Sequence, residues 1–200
     1  MIDPSKITNY NQTTAQLEES LLFWVCAAGK NGTTAARCLD IFLDKIGGKS
    51  VSPFTAILNY ACRTENLGDP LHGIDTLMKF CGIGCYTSKA KTFISLACSG
   101  LSLHTCTVRQ LESIHGIGMK TARCFIIHSR RNADCAGLDT HVLKFLRLMG
   151  HDAPKSTPTR KKYLQLEKEF VILARKYNKT IAELDLEIWN HYSVGGNNAN

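Results

Sequence analysis

Two residues, Lys120 and Asp139, combine a side-chain type with a setting that could do chemistry. Lys120 follows the turn Gly116-Ile117-Gly118 and falls in the first turn of a helix predicted from near Met119. An amine there stands beside unpaired backbone N–H groups and the positive end of the helix dipole, a field that disfavours protonation. A neutral lysine amine can attack a carbon and form a Schiff base. Asp139, nineteen residues further on, opens another helix. A carboxylate at that position accepts backbone N–H bonds, which favour its ionised form. An ionised carboxylate can activate a nucleophile or stabilise an adjacent cation. Taken singly, each group has an ordinary reading: a solvated cation and a helix cap.

Three predicted helices position these groups. Val108, Leu111 and Ile114 share one face of the first. Gly116 and Gly118 supply a turn that a side chain would strain. The second helix, from about Met119, turns Ala122, Phe125 and Ile126 inward and ends in the polar cluster Arg130, Arg131, Asn132. Asp139 and Thr140 open the third, which Gly150 closes.

The string HGIGMKTA (115–122), followed by LDTH (138–141), resembles the helix-hairpin-helix plus Gly/Pro–Asp motif of the DNA glycosylases. The match in order, spacing and helical context gives the motif its weight. The resemblance implies that Lys120 is the nucleophile at the deoxyribose C1′ and that Asp139 is the catalytic carboxylate. It also implies that the backbone at Gly116 and Gly118, with Thr121, grips DNA phosphate, aided in many relatives by a monovalent cation at the hairpin.

The composition agrees with a folded soluble chain: 44% apolar and 20% charged over 200 residues, enough to bury a core unaided. The N-terminus MIDPSKITNYNQ has no basic start and apolar run, so no signal peptide is read. A net charge of +7 suits a polyanionic partner without requiring one. The nine cysteines are scattered singly and read as reduced thiols, most of them small buried hydrophobes. Only Cys81 and Cys85 lie close, with no second pair nearby, and no zinc site is predicted. Endonuclease III-type relatives carry four cysteines after the catalytic Asp to hold an iron–sulfur cluster. The last cysteine here is Cys135, so no such cluster, no other metal site and no required cofactor is predicted.

In chain order, residues 1–12 read as a loose polar lead-in. Helices are predicted over 14–28, with Thr14 as cap, and over 33–46, 54–62 and 74–80, with a break at 68–73. Trp24 reads as core. At the turn 29–33 the family often places a Gln or Asn that fills the gap left by an extruded base. Ala28 stands at that position, leaving Lys30 or Asn31 to reach the duplex, or simply to form a turn. IGCYTSKA (83–90) resembles the endonuclease III-type loop whose Leu wedges into DNA, offsetting part of the cost of unstacking. Cys85 stands where that Leu would be. Tyr86 next to it is either core or a stacking residue. Lys89 and Lys91 either meet phosphates or lie on a solvated helix face.

Residues 151–162, with two prolines, form a loop; helices follow over 163–176 and 180–191, and the tail 193–200 reads as disordered. LDLEIW (184–189) resembles the ending of the type 2, archaeal-type 8-oxoguanine glycosylases, whose Trp stacks on the flipped purine. By that resemblance Trp189 is one wall of a base pocket, and Cys124, four residues after Lys120, is the other; alternatively both are core. The type 2 enzymes end in a Lys that reads the 8-oxo base, whereas this sequence ends in Asn.

No stretch shows strand alternation bounded by turn signals, and the fold class is all-α. The family implies two lobes with the active site in the cleft between: 36–134 as a helical barrel carrying the hairpin, and 135–200 as a C-terminal lobe packed with 1–35. The implied function is a bifunctional glycosylase and abasic-site lyase. It would act as a monomer on double-stranded DNA in the cytoplasm, associated with the nucleoid, in base excision repair of an oxidised base such as 8-oxoguanine. Two alternatives stand beside it. One is a glycosylase directed at a hypermodified base in foreign DNA. The other is a non-catalytic helix-hairpin-helix module that only grips phosphate.

Overall fold

Thr13 starts the first helix through a reciprocal cap. Its Oγ1 accepts from the Gln16 N–H (3.3 Å), and Gln16 Oε1 accepts from the Thr13 N–H (2.8 Å). The cap is therefore Thr13, one residue before the predicted Thr14. The computed structural model describes residues 1–65 and 70–194. Ten α-helices run through them: α1 Thr14–Ala27, α2 Gly32–Ile46, α3 Pro53–Glu65, α4 Pro70–Phe80, α5 Tyr86–Cys98, α6 Val108–Glu112, α7 Met119–Ser129, α8 Thr140–Leu148, α9 Arg160–Lys176 and α10 Ile181–Val194. No strand occurs among the described residues, and no helix there is long and apolar enough to cross a membrane.

Local chemistry accounts for most helix ends. Asn31 caps α2, and Gly47 ends it with φ 78°, a left-handed geometry suited to glycine. Thr107 and Gln110 form a second reciprocal cap at α6. Thr180 and Glu183 cap α10 in the same way. Helix α4 starts at Pro70 rather than at the predicted Ile74, a proline being well suited to the first helical position. The rest of the predicted 68–73 break lies outside the described residues, as does the predicted disordered tail from residue 195 on; residues 193 and 194 continue α10.

The chain divides into two compact units. One comprises Met1–Ile7 and Asn11–Thr121, the other Thr8–Tyr10 and Ala122–Asn200. The expected division at 35/36 and 134/135 differs from this. Helix α1 packs on α2, α3 and α5 within the first unit, because Leu21, Leu22 and Phe23 are all buried there. That unit's core includes Phe42 and Phe93 in edge-to-face contact, with Ile57, Ile74, Met78 and Leu111 buried around the same helices. In the second unit Phe125, Leu146, Tyr163 and Phe170 are buried, and α8 packs on α10. The His141 and Tyr192 rings stack there, and the Lys144 ammonium lies 4.2 Å from the centre of the Tyr192 ring.

The N-terminal lead-in is structured. Asp3 caps a short 3-10 turn at Pro4–Lys6, and Ile7 is buried. Thr8 Oγ1 lies 2.7 Å from His128 Nδ1, and the Asn9 N–H donates to the His128 carbonyl at 3.0 Å. His128 is fully buried and also meets Asp185 at 3.1 Å. A polar segment thus gains order by satisfying a buried histidine.

Candidate active site

The hairpin is the turn 113–118 between α6 and α7. Gly116 sits at φ 78°. A Cβ added there would lie 2.0 Å from Thr92 Oγ1 on α5. Glycine is therefore demanded twice, by backbone conformation and by close approach. Gly118 is different: its φ is not positive, and a Cβ there would meet nothing within 4 Å. The reading that both glycines relieve strain holds for Gly116 only. Gly118 is exposed and leaves the start of α7 uncovered, next to the half-buried Lys120. Lys120 thus lies in the first turn of α7, as its sequence position predicts.

Gly116→Ala is expected to lower stability in chemical denaturation. The left-handed backbone alone accounts for about 1–2 kcal/mol, and the clash adds to it. Adding Thr92→Ala should recover the clash component and leave the backbone component. Full recovery by the second change would remove the conformational demand at Gly116.

Asp139 caps α8. Its Oδ1 accepts from the backbone N–H of His141 and of Val142, both at 2.8 Å. Oδ2 accepts no hydrogen bond from the described residues, and the side chain is half-buried. One carboxylate oxygen is committed to the fold and the other is available. The residues leading to it, Cys135–Leu138, are buried yet not helical. Their backbone groups are satisfied by side chains. Tyr163 Oη donates to the Ala136 carbonyl (3.0 Å) and accepts from the Leu138 N–H (2.8 Å). Glu167 Oε1 accepts from the Ala136 N–H (3.0 Å) and from Arg123 Nε (2.6 Å). Gly137 presses on α7: a Cβ there would lie 2.2 Å from Cys124 Sγ. Lys120 belongs to the first unit and Asp139 to the second.

Several predicted contacts take other positions. Lys89 is not a phosphate ligand. Its amine is buried and donates to the carbonyls of Cys26 (3.0 Å) and Ala28 (3.1 Å). The last carbonyls of α1 lack intrahelical partners, and Lys89 supplies one. Burial pushes its amine below the usual lysine range. Thr121 is buried, so its side chain is not offered to DNA. Cys124 is 2% exposed and is filled against by Gly137, which fits the core reading rather than a pocket wall. Asn31 spends its Oδ1 on the Thr34 N–H as the α2 cap, and Lys30 donates to the Gly82 carbonyl. Cys85 is exposed, at φ 53°, immediately before α5. Tyr86 is half-buried, with the Lys79 ammonium 5.7 Å from its ring centre. Trp189 is half-buried on α10, one residue beyond the buried Ile188.

Residues 85–179 match the family model described as 8-oxoguanine DNA glycosylase. That segment contains Cys85, the whole hairpin, Lys120, Cys124 and Asp139. That match makes the chain similar to the 8-oxoguanine DNA glycosylases over just under half of its length. It is 35% identical over 82 residues to a Picrophilus torridus protein named 8-oxoguanine DNA glycosylase/AP lyase, over 40% of this chain and 37% of that protein. The alignment thus spans little more than a third of that relative's length. A solved Methanocaldococcus jannaschii 8-oxoguanine glycosylase/lyase, in complex with a 15mer DNA containing 8-oxoguanine, superposes with a TM-score of 0.68 at 20% identity. The superposition covers 98% of this chain and 89% of that one. The 8-oxoguanine DNA glycosylase of Thermotoga maritima gives the same TM-score, identity and coverage. At that identity the two structures show the glycosylase fold.

Lys30, Asn31 and Trp189 lie outside the matched segment. Within it, sequence reading passed over Arg123, Tyr163 and Glu167, which hold the approach to Asp139. The signal available was a Tyr and a Glu four residues apart on α9, set among the apolar Leu166 and Phe170.

Proposed function

We propose that the chain is a DNA glycosylase with abasic-site lyase activity, and that it removes an oxidised base such as 8-oxoguanine from double-stranded DNA. The observation that carries this is an accessible Lys120 in the first turn of α7, followed in order by Asp139 with one oxygen uncommitted. The names of the relatives supply the substrate class. The start of α7, uncovered at Gly118, offers backbone N–H groups to a phosphate. That contact fixes register on the duplex and carries no sequence information.

The target nucleotide is flipped out of the stack. The Lys120 amine attacks C1′ as the glycosidic bond breaks, and the base leaves with that electron pair and takes up a proton. The Asp139 carboxylate stabilises positive charge developing on the sugar and assists loss of the proton from the attacking nitrogen. Opening of the sugar ring gives the Schiff base. Loss of a C2′ proton then breaks the C3′–O bond and releases the 3′ phosphate.

No cofactor is required for these steps. Among the described residues no three His, Cys, Asp or Glu are grouped to hold a metal ion. A monovalent cation at the hairpin would be held by oxygen ligands, which the main-chain carbonyls of the turn supply. It would supply positive charge beside the phosphate. The working form is a monomer acting on nucleoid DNA in the cytoplasm.

The test is single-turnover incubation of the protein with a panel of duplexes, each carrying one modified base or an abasic site. Release of 8-oxoguanine with strand cleavage is expected. Retention of every base, with binding intact, would leave a phosphate-gripping module instead. A second expectation concerns Trp189. If it stacks on the flipped base, Trp189→Ala should weaken binding to the modified duplex by about 1–3 kcal/mol. Binding to undamaged duplex, which rests on phosphates, should hardly change. A core Trp would instead cost about 3–5 kcal/mol of stability and weaken both complexes together.

A further inference from the structure

The residues before Asp139 pose a problem of accounting. Ala136 and Leu138 are 0% and 3% exposed, yet neither is in a helix. Buried backbone N–H and C=O groups require partners. Here both main-chain groups flanking Gly137 are satisfied by one hydroxyl, that of Tyr163. Glu167, one helical turn along α9, takes the next amide and is neutralised by Arg123 from α7. The Arg123 guanidinium also lies 5.1 Å from the centre of the Tyr163 ring. Gly137 lies so close to Cys124 of α7 that a Cβ there would fall 2.2 Å from its Sγ. The strap is therefore held from α9 and α7 together, and Asp139 follows Leu138 directly, its own N–H donating to the Gly137 carbonyl at 3.0 Å. Burial pushes the Tyr163 phenol up, so the hydroxyl keeps the proton that its bond to Ala136 uses.

We infer that Tyr163 and Glu167 are positioning residues for the glycosylase reaction: by clamping the main chain at Ala136 and Leu138 they place the Asp139 carboxylate. The inference rests on the glycosylase reading above. Neither side chain needs to touch DNA. Small misplacement of a catalytic group has large kinetic consequences, on the order of 100-fold for about 1 Å.

Tyr163→Phe isolates the clamp, because it keeps the ring and its packing and removes only the hydroxyl. The expected result is a 10- to 100-fold slower single-turnover base release, on the scale of such misplacement, with DNA Kd unchanged. Amide hydrogen exchange should quicken at Leu138, which loses its acceptor, and also at His141 and Val142, whose acceptor is Asp139. Glu167→Gln, which keeps an acceptor for the Ala136 amide, should be slowed less than Glu167→Ala. If Tyr163→Phe does not fold, that Glu167 pair decides the question by the same rate and Kd measurements. Wild-type base release in a folded Tyr163→Phe, with His141 and Val142 still protected, would overturn the inference and reduce the network to a scaffold. Equal rates for the two Glu167 variants would do the same. If the wild type itself released no base, the glycosylase reading would fail. The exchange pattern would then still show whether Tyr163 controls the Asp139 cap.

Discussion

Borohydride should trap the wild-type protein covalently on an abasic duplex, and Lys120→Gln should give no trapped band. The reductant fixes a Schiff base, so the band reports which amine has attacked C1′. Lys120 stands in the first turn of α7, half-buried and next to the exposed Gly118. Glutamine has nearly the same helix propensity as lysine and nearly the same length, so α7 should start unchanged. The phosphate grip rests on main-chain groups that the substitution leaves in place. DNA affinity should therefore fall only a few-fold, and the slope of affinity against salt should change by about one charge at most. Lyase cleavage should drop to background. Lys89 is the internal control: its buried amine is held by two carbonyls, and its removal should cost stability without removing the trapped band. Equal trapping by wild type and Lys120→Gln would assign the nucleophile to another amine.

What the sequence made legible was local. Asp139 reads as a cap because the residues it caps, His141 and Val142, follow it within three positions. Gly116 reads as a turn for the same reason. The helices follow from apolar spacing and from short-range caps such as Thr107 with Gln110. What stayed hidden depends on partners far along the chain. Lys89 looks like any basic residue on an exposed helix until α1 delivers its carbonyls 61 and 63 residues away. Thr8 looks like part of a polar tail until His128 is found 120 residues on. Tyr163 reads as one more aromatic on the apolar face of α9. Its hydroxyl finds partners at separations of 25 and 27 residues, which no periodicity encodes. Gly118 shows the converse. A local rule assigns it strain, but the backbone takes an ordinary φ and the space around it is open. The two-unit division shifted for a similar reason: α1 is apolar on most sides, and composition does not say which helices cover it.

Asp139→Asn should slow single-turnover base release by about 10²–10⁴-fold, the usual worth of a positioned acid–base group, while leaving the fold intact. The two carboxylate oxygens explain why the effects separate. Oδ1 holds the His141 and Val142 amides, and an asparagine carbonyl oxygen can accept the same two bonds. Asn and Asp are comparable caps, and the lost charge at the helix start is worth about 0.3–1 kcal/mol. The Oδ2 position becomes an amide NH₂. That group brings no negative charge to the sugar cation and accepts no proton from the attacking amine. The missing interaction belongs to the transition state, so binding of an uncleaved modified duplex should stay near wild type. Asp139→Ala offers the necessary contrast, since it loses both roles. It should match Asp139→Asn in rate but melt at a lower temperature, the lost cap costing about 0.5–2 kcal/mol. If Asp139→Asn turned over at the wild-type rate while Asp139→Ala was both slow and unstable, Asp139 would be a cap alone. The charge that assists Lys120 would then have to come from another carboxylate.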